Sequence, residues 1–121
     1  MKLRLVSLIA LIAALALSAG ISAYVLAHPR QRIVLLSVKR FAYSPNEIVL
    51  RKGEAVVLEV QSEDVVHGFN APELGVRTDV LPGKPARVQL TPQKAGRFGF
   101  HCDIFCGTGH EELVGTIVVT E

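Results

Sequence analysis

The sequence predicts an all-β domain, a Greek-key β-sandwich or barrel, preceded by an N-terminal hydrophobic helix. Two observations support this prediction. The chain of 121 residues opens with a long uncharged apolar stretch. From Arg30 onward, short β-rich runs alternate with turn residues and no window has a convincing helical period. Several short strands in one small domain are typical of an antiparallel sandwich or Greek-key barrel.

The N-terminal helix is predicted from residues 5–27, which carry no charge and follow the basic residues Lys2 and Arg4. A basic start and an apolar run ending in small residues are typical of a secretory signal peptide. The run also exceeds the roughly 20 apolar residues that a helix needs to span a bilayer. Residues 1–27 are therefore either a signal peptide or a signal-anchor transmembrane helix. In both cases we expect the rest of the chain in the periplasm or on the outer face of the cytoplasmic membrane.

The body of the chain is divided into a linker over residues 28–32, with His28 a solvated linker residue, and one domain over residues 33–121. Alternation along the predicted strand Ala55–Gln61 indicates that Val56, Leu58 and Val60 point inward. The same pattern near the end of the chain indicates that Ile117 and Val119 point inward. The predicted strands are Ile33–Lys39, Glu47–Leu50, Ala55–Gln61, Val65–Phe69, Ala86–Leu90, Arg97–Cys102 and Gly115–Thr120.

The charge balance argues against a nucleic-acid partner. Lys2 and Arg4 account for the formal net charge of +2, and residues 28–121 hold equal numbers of basic and acidic side chains. A nucleic-acid binder needs a basic face that displaces counterions from phosphates, and here no stretch interleaves aromatic and basic residues.

Chemistry is concentrated in the segment 101–110, which contains both cysteines of the chain, Cys102 and Cys106, together with His110. In an extended strand, residues four apart are separated by about 13 Å, too far to share a metal ion or a disulfide. The chain must therefore curl, and the glycines between Cys106 and His110 favour a tight loop over a helix. His67 lies near the end of an earlier predicted strand, Val65–Phe69, and a sandwich can bring it to the same rim.

Three interpretations of this group compete. A Cys102–Cys106 disulfide suits an exported protein but leaves His67 and His110 unexplained. A structural zinc site usually takes its ligands as two close pairs, unlike this spacing. Copper suits thiolates and imidazoles on a strand-loop-strand with one distant histidine. A catalytic Cys/His pair lacks a third orienting group, so we expect no catalytic site.

The order of these residues resembles a known family. The string Cys102-x3-Cys106-x3-His110, together with Val66-His67-x-Phe69 and the stretch from Pro72 to Gly83, is similar to the cupredoxin domain of cytochrome c oxidase subunit II with its dinuclear copper (CuA) centre. The similarity runs from about Phe41 to the C-terminus. It implies a cupredoxin-like sandwich over residues 33–121.

The resemblance also implies a ligand set and a function. Cys102 and Cys106 would bridge two copper ions, His67 and the backbone carbonyl of Ile104 would bind one of them, and His110 would bind the other. The domain would carry one electron and transform no small-molecule substrate. Its partners would be a redox protein, either cytochrome c or oxidase subunit I, and the membrane through an uncleaved leader.

The sequence departs from the family pattern in three respects. Leu113 stands where the family supplies a weakly bound Met, the chain has no Trp for electron entry, and only one candidate membrane segment is present. Two alternatives follow from the residues. One is a mononuclear site of His67, Cys106 and His110. The other is a copper-delivery or copper-buffering protein that transfers no electrons in turnover.

Overall fold

The computed structural model describes residues 1–27 and 30–121 and divides into two compact units, Met1–Arg30 and Gln31–Glu121. The described part of the first unit forms one helix, α1 (Lys2–Ala27), whose side chains are exposed and, after Arg4, uncharged. Among the described residues, α1 is the one helix whose length and composition would allow it to cross a membrane. His28, predicted to be a solvated linker residue, lies outside the described residues.

The second unit is a sandwich of two sheets. The four-stranded sheet has the order β2-β1-β4-β7, and the five-stranded sheet has the order β3-β9-β8-β5-β6. Single 3-10 turns follow β5 and precede β9, at Pro72–Leu74 and His110–Glu112. The strands are β1 (Arg32–Lys39), β2 (Ala42–Ser44), β3 (Glu47–Arg51), β4 (Val56–Ser62), β5 (His67–Ala71), β6 (Val76–Val80), β7 (Ala86–Leu90), β8 (Gly96–His101) and β9 (Val114–Thr120).

The structure confirms the all-β fold with an N-terminal apolar helix, but two of the strand pairs are parallel and not antiparallel. β1 pairs with β4 in parallel, and β3 pairs with β9 in parallel. In both cases the chain visits the opposite sheet between the paired strands, so they need not form a hairpin. Two strands were also missed: β2 is only three residues long, and β6 (VRTDV) carries an arginine and an aspartate on its exposed face.

The predicted inward positions of β4 and β9 are confirmed. Val56, Leu58 and Val60 are completely buried, as is Ile117. Each such aliphatic side chain contributes about 1.5–3 kcal/mol to folding. The centre of the core is aromatic: the rings of Tyr43, Phe69 and Phe100 lie with centroids 4.9–6.1 Å apart. The strand ends that carry the chemistry, those of β5 and β8, are thereby fixed on a packed base.

Candidate metal centre

His67 begins β5 and is completely buried. Its Nε2 atom lies 2.7 Å from Oδ1 of Asp64. Its Nδ1 atom is buried without a hydrogen-bond partner, the one such side-chain atom among the described residues. A buried polar nitrogen without a partner costs free energy unless something else binds it. Nδ1 is thus the nitrogen available to a metal, and Nε2 is held by a carboxylate.

Cys102 follows the last residue of β8 and is 3% exposed. Its Sγ atom accepts a hydrogen bond from the Gly68 backbone N–H at 3.2 Å and donates one to the Ile104 carbonyl at 3.2 Å. Its backbone N–H donates to the Leu113 carbonyl at 3.0 Å. The sulfur is therefore fixed beside His67 by β5, and the loop carbonyl of Ile104 is brought to the same point.

Cys106 and His110 lie on the loop that returns to β9. The Sγ atom of Cys106 is 3.6 Å from Nδ1 of His110. The turn between them depends on Gly107, whose φ of 138° is rarely adopted by other residues, and the His110 N–H donates to the Gly107 carbonyl at 3.2 Å. Burial and the neighbouring Cys102 sulfur raise the pKa of the Cys106 thiol to about 11. Metal binding at neutral pH must therefore release protons.

The structure brings the predicted residues together. A ring nitrogen of His67 and the sulfurs of Cys102 and Cys106 lie within 4.8 Å of one another. His110 adjoins this group through Cys106, and the Ile104 carbonyl adjoins it through Cys102. Both cysteines are free thiols. Two soft sulfurs, two imidazoles and an unpartnered buried nitrogen fit a thiophilic metal such as copper.

Four other residues near the centre, Leu113, Glu111, Glu112 and His101, differ in their exposure. Leu113, which stands where the resemblance predicts a weakly bound Met, is completely buried. Glu111 and Glu112 are exposed on the 3-10 turn. His101 is half-buried at the end of β8, where it pairs with Asn70.

Sequence reasoning missed the charged residues that surround the ligands. Burial alone would raise the pKa of Asp64, but hydrogen bonds from the Arg40 N–H, from His67 and from the Val65 N–H hold it well below its usual range. A second charged pair is formed by Arg77 and the carboxylate of Asp103, the residue between the predicted ligands Cys102 and Ile104. An acid three residues before a candidate ligand histidine was the available signal for Asp64.

The fold and the site together define a cupredoxin-like domain, and the family model of that name matches residues 7–119. The similarity to individual proteins is more specific. Cytochrome c oxidase subunit 2 of Thermus thermophilus is 37% identical over 93 residues, which cover 77% of this chain and 69% of that protein. A second cytochrome c oxidase subunit 2 from the same species is equally similar, and the match covers 55% of its length. The chain belongs to the cytochrome c oxidase subunit II family.

Solved structures support the fold. The periplasmic domain of subunit II of the cytochrome oxidase of Bradyrhizobium japonicum superimposes with a TM-score of 0.70 at 22% identity, covering 77% of this chain and 87% of that one. A chain of a heme-copper terminal oxidase dimer superimposes with a TM-score of 0.67 at 21% identity, covering 99% of this chain and all of that one.

Proposed function

We propose that the domain carries one electron through a dinuclear, CuA-like copper centre. Cys102 and Cys106 would bridge the two ions, His67 and the Ile104 carbonyl would bind one, and His110 would bind the other. The observation that supports this proposal most strongly is the buried, unpartnered Nδ1 of His67, in a ring that has a nitrogen within 4.8 Å of two free thiols.

A copper pair at this position supplies one-electron redox chemistry, and the chain's own residues determine its surroundings. The Asp64 carboxylate fixes the orientation and tautomer of His67, so that Nδ1 is presented as the ligand. The Gly68 N–H holds the Cys102 sulfur in place and would stabilise the negative charge that this sulfur carries once a metal has displaced its proton. The burial of His67, Cys102 and Leu113 excludes water from the inner side of the centre. A ligand set fixed in this way rearranges little when the charge changes.

The cellular setting is part of the same proposal. Helix α1 would anchor the chain in the membrane or direct its export, with the sandwich in the periplasm or on the outer face of the cytoplasmic membrane. Membership of the subunit II family supports a redox partner such as cytochrome c or oxidase subunit I. Phe105 is 78% exposed, and its ring centroid lies 5.8 Å from that of His110, so an aromatic surface lies beside a proposed ligand despite the absence of Trp.

A mononuclear copper site is the second candidate. It is favoured by the buried aliphatic residue Leu113, which stands where the resemblance predicts a weakly bound Met. In that case His67, Cys106 and His110 would bind one copper, and Cys102 would be dispensable.

Copper stoichiometry combined with electron paramagnetic resonance of the full chain in detergent separates these possibilities. The proposal expects two coppers per chain and a mixed-valence spectrum with hyperfine lines from two equivalent nuclei. Replacement of Cys102 by Ser should abolish that spectrum. One copper per chain, together with the blue visible absorption of a mononuclear copper–thiolate site that is retained in Cys102→Ser, would establish the mononuclear site. Rapid loss of copper to a chelator would favour the delivery function instead.

A further inference from the structure

The loop that carries the two cysteines is attached to the His67 strand by very little backbone pairing. β8 and β5 are adjacent in the sheet, but their register contains one residue pair, Asn70 with His101. Immediately after that pair the chain leaves the sheet as the cysteine loop. Contacts by side chains must therefore hold the loop against β5.

An arginine on the next strand supplies such a contact. Arg77 of β6 donates from Nε to Oδ2 of Asp103 at 2.9 Å and from Nη2 to Oδ1 at 3.0 Å. This is the two-bonded arrangement that gives arginine-carboxylate pairs their directionality. Asp103 lies directly between Cys102 and Ile104, so a bond to its carboxylate restrains the two residues that offer a sulfur and a carbonyl to the metal.

The intervening strand is shaped to allow this contact. β6 pairs with β5 so that Arg77 lies opposite Asn70 and Asp79 lies opposite Gly68. A Cβ atom on Gly68 would lie 2.0 Å from Oδ1 of Asp103. The Asp103 carboxylate thus occupies the space over Gly68 that a side chain at this position of β5 would need. The same glycine donates its N–H to the Cys102 sulfur, so the loop meets β5 at this residue twice.

We propose that Arg77 and Asp103 are positioning residues that hold the segment Cys102–Ile104 in its ligand-ready conformation before metal binds. The purpose of this contact rests on the proposed function. The Arg77–Asp103 contact itself, called the clamp below, can be tested in the protein without metal. The Arg77 and Asp103 side chains are 44% and 26% exposed, and an ion pair exposed to this extent contributes little to stability through charge alone. A clamp instead keeps the Cys102 thiol buried and the loop closed, and its loss exposes that thiol.

Thiol reactivity of the reduced, metal-free full chain in detergent tests the clamp. Cys102 and Cys106 are alkylated with iodoacetamide, and mass spectrometry follows each site over time. We expect Arg77→Gln and Asp103→Asn to accelerate the alkylation of Cys102 by about fivefold, the factor that matches a restraint of modest strength. Arg77→Lys keeps the charge but loses the paired hydrogen bonds, and its rate should be intermediate.

Two matched controls remove ion pairs without touching the loop. Asp79→Asn removes the other carboxylate that Arg77 binds, and Arg87→Gln removes a pair with Glu59 on the four-stranded sheet. Both should leave the Cys102 rate unchanged, and thermal unfolding followed by circular dichroism should show that all variants are folded. Equal Cys102 rates in wild type, Arg77→Gln and Asp103→Asn would overturn the proposal.

A second measurement connects the clamp to copper. When loaded with copper, the Arg77→Gln variant should lose copper to a chelator faster than wild type. Its electron paramagnetic resonance lines should also be broader. Arg87→Gln should show neither change. If the wild-type chain binds no copper pair, the proposed function fails, and the alkylation result still decides the clamp. If wild type binds two coppers and alkylation is unchanged by the variants, the clamp alone fails.

Discussion

The Nε2 atom of His67 lies 2.7 Å from Oδ1 of Asp64, while Oδ2 of the same carboxylate accepts the Arg40 backbone N–H at 2.8 Å. Asp64 therefore joins the β1–β2 turn to the first residue of β5. Because the Arg40 backbone N–H holds one oxygen of the Asp64 carboxylate, the other oxygen has a fixed position and orients the His67 ring. A carboxylate–histidine–metal arrangement of this kind increases the basicity of the ligand.

Replacing Asp64 with Asn should weaken copper binding by about 10- to 100-fold, the range typical of such supporting residues. The amide keeps a hydrogen bond but removes the negative charge behind His67. Competition with a chelator of known affinity measures the change. Glu63→Gln is the matched control, because this neighbouring carboxylate is half-exposed and lies 3.8 Å from Lys39. Equal affinities in the two variants would contradict the role given to Asp64.

Gly68 should tolerate no side chain while Asp103 is present. Its added Cβ would lie 2.0 Å from Oδ1 and 3.2 Å from Cγ of Asp103. Gly68→Ala should therefore lower the free energy of unfolding by about 1–3 kcal/mol, as overpacking usually does. Removal of the opposing atoms in Gly68→Ala/Asp103→Ala should recover part of that loss, although the Asp103 nitrogen at 3.1 Å keeps the fit tight.

Chemical denaturation of the four proteins in this cycle, without metal, measures the coupling. If the losses of the two single variants simply add in the double variant, the carboxylate does not lie over Gly68 in solution.

The sequence predicted the fold class and the loop that carries Cys102, Cys106 and His110 because both rest on local signals. Alternation along β4 and β9 specifies which residues face the core, and the spacing of Cys102, Cys106 and His110 requires a loop. The two parallel pairings were not predicted, because the direction of a strand depends on which sheet the chain enters next, as in the pairing of β3 with β9. No local pattern records that choice.

The supporting residues escaped prediction for a related reason. Arg77 is 26 residues from Asp103 in the chain, and Arg40 is 24 residues from Asp64. Charged side chains on a strand are usually solvated, so sequence alone offers no reason to pair them. Only the folded sheet shows that Arg77 and Asp103 meet across the bare backbone of Gly68.

Phe41 should determine whether the loop between Cys106 and His110 accepts a side chain. A Cβ atom on Gly109 would lie 2.6 Å from Cδ2 of the Phe41 ring, although the Gly109 φ of −123° suits any residue. Gly109→Ala should therefore displace its neighbour His110 and accelerate copper loss several-fold. The double variant Phe41→Ala/Gly109→Ala should retain copper better than Gly109→Ala.

Gly99→Ala is the control for a glycine substitution near the site, because a Cβ there meets no atom within 4 Å. Copper release to a chelator, followed by the loss of the visible absorption, measures all four proteins. Unchanged release from Gly109→Ala would show that the loop does not pack on Phe41 in solution.

Leu113 is completely buried, and its carbonyl accepts the Cys102 N–H at 3.0 Å, so its side chain begins beside the proposed centre. Leu113→Met is nearly volume-conserving and should cost less than about 1.5 kcal/mol of stability. Because axial ligands tune copper sites, a thioether here should shift the reduction potential and the hyperfine pattern and slow the loss of copper. Leu113→Ile, equally apolar and without a donor atom, is the matched control. Voltammetry and resonance spectra that are identical for the Met and Ile variants would show that position 113 does not face the metal.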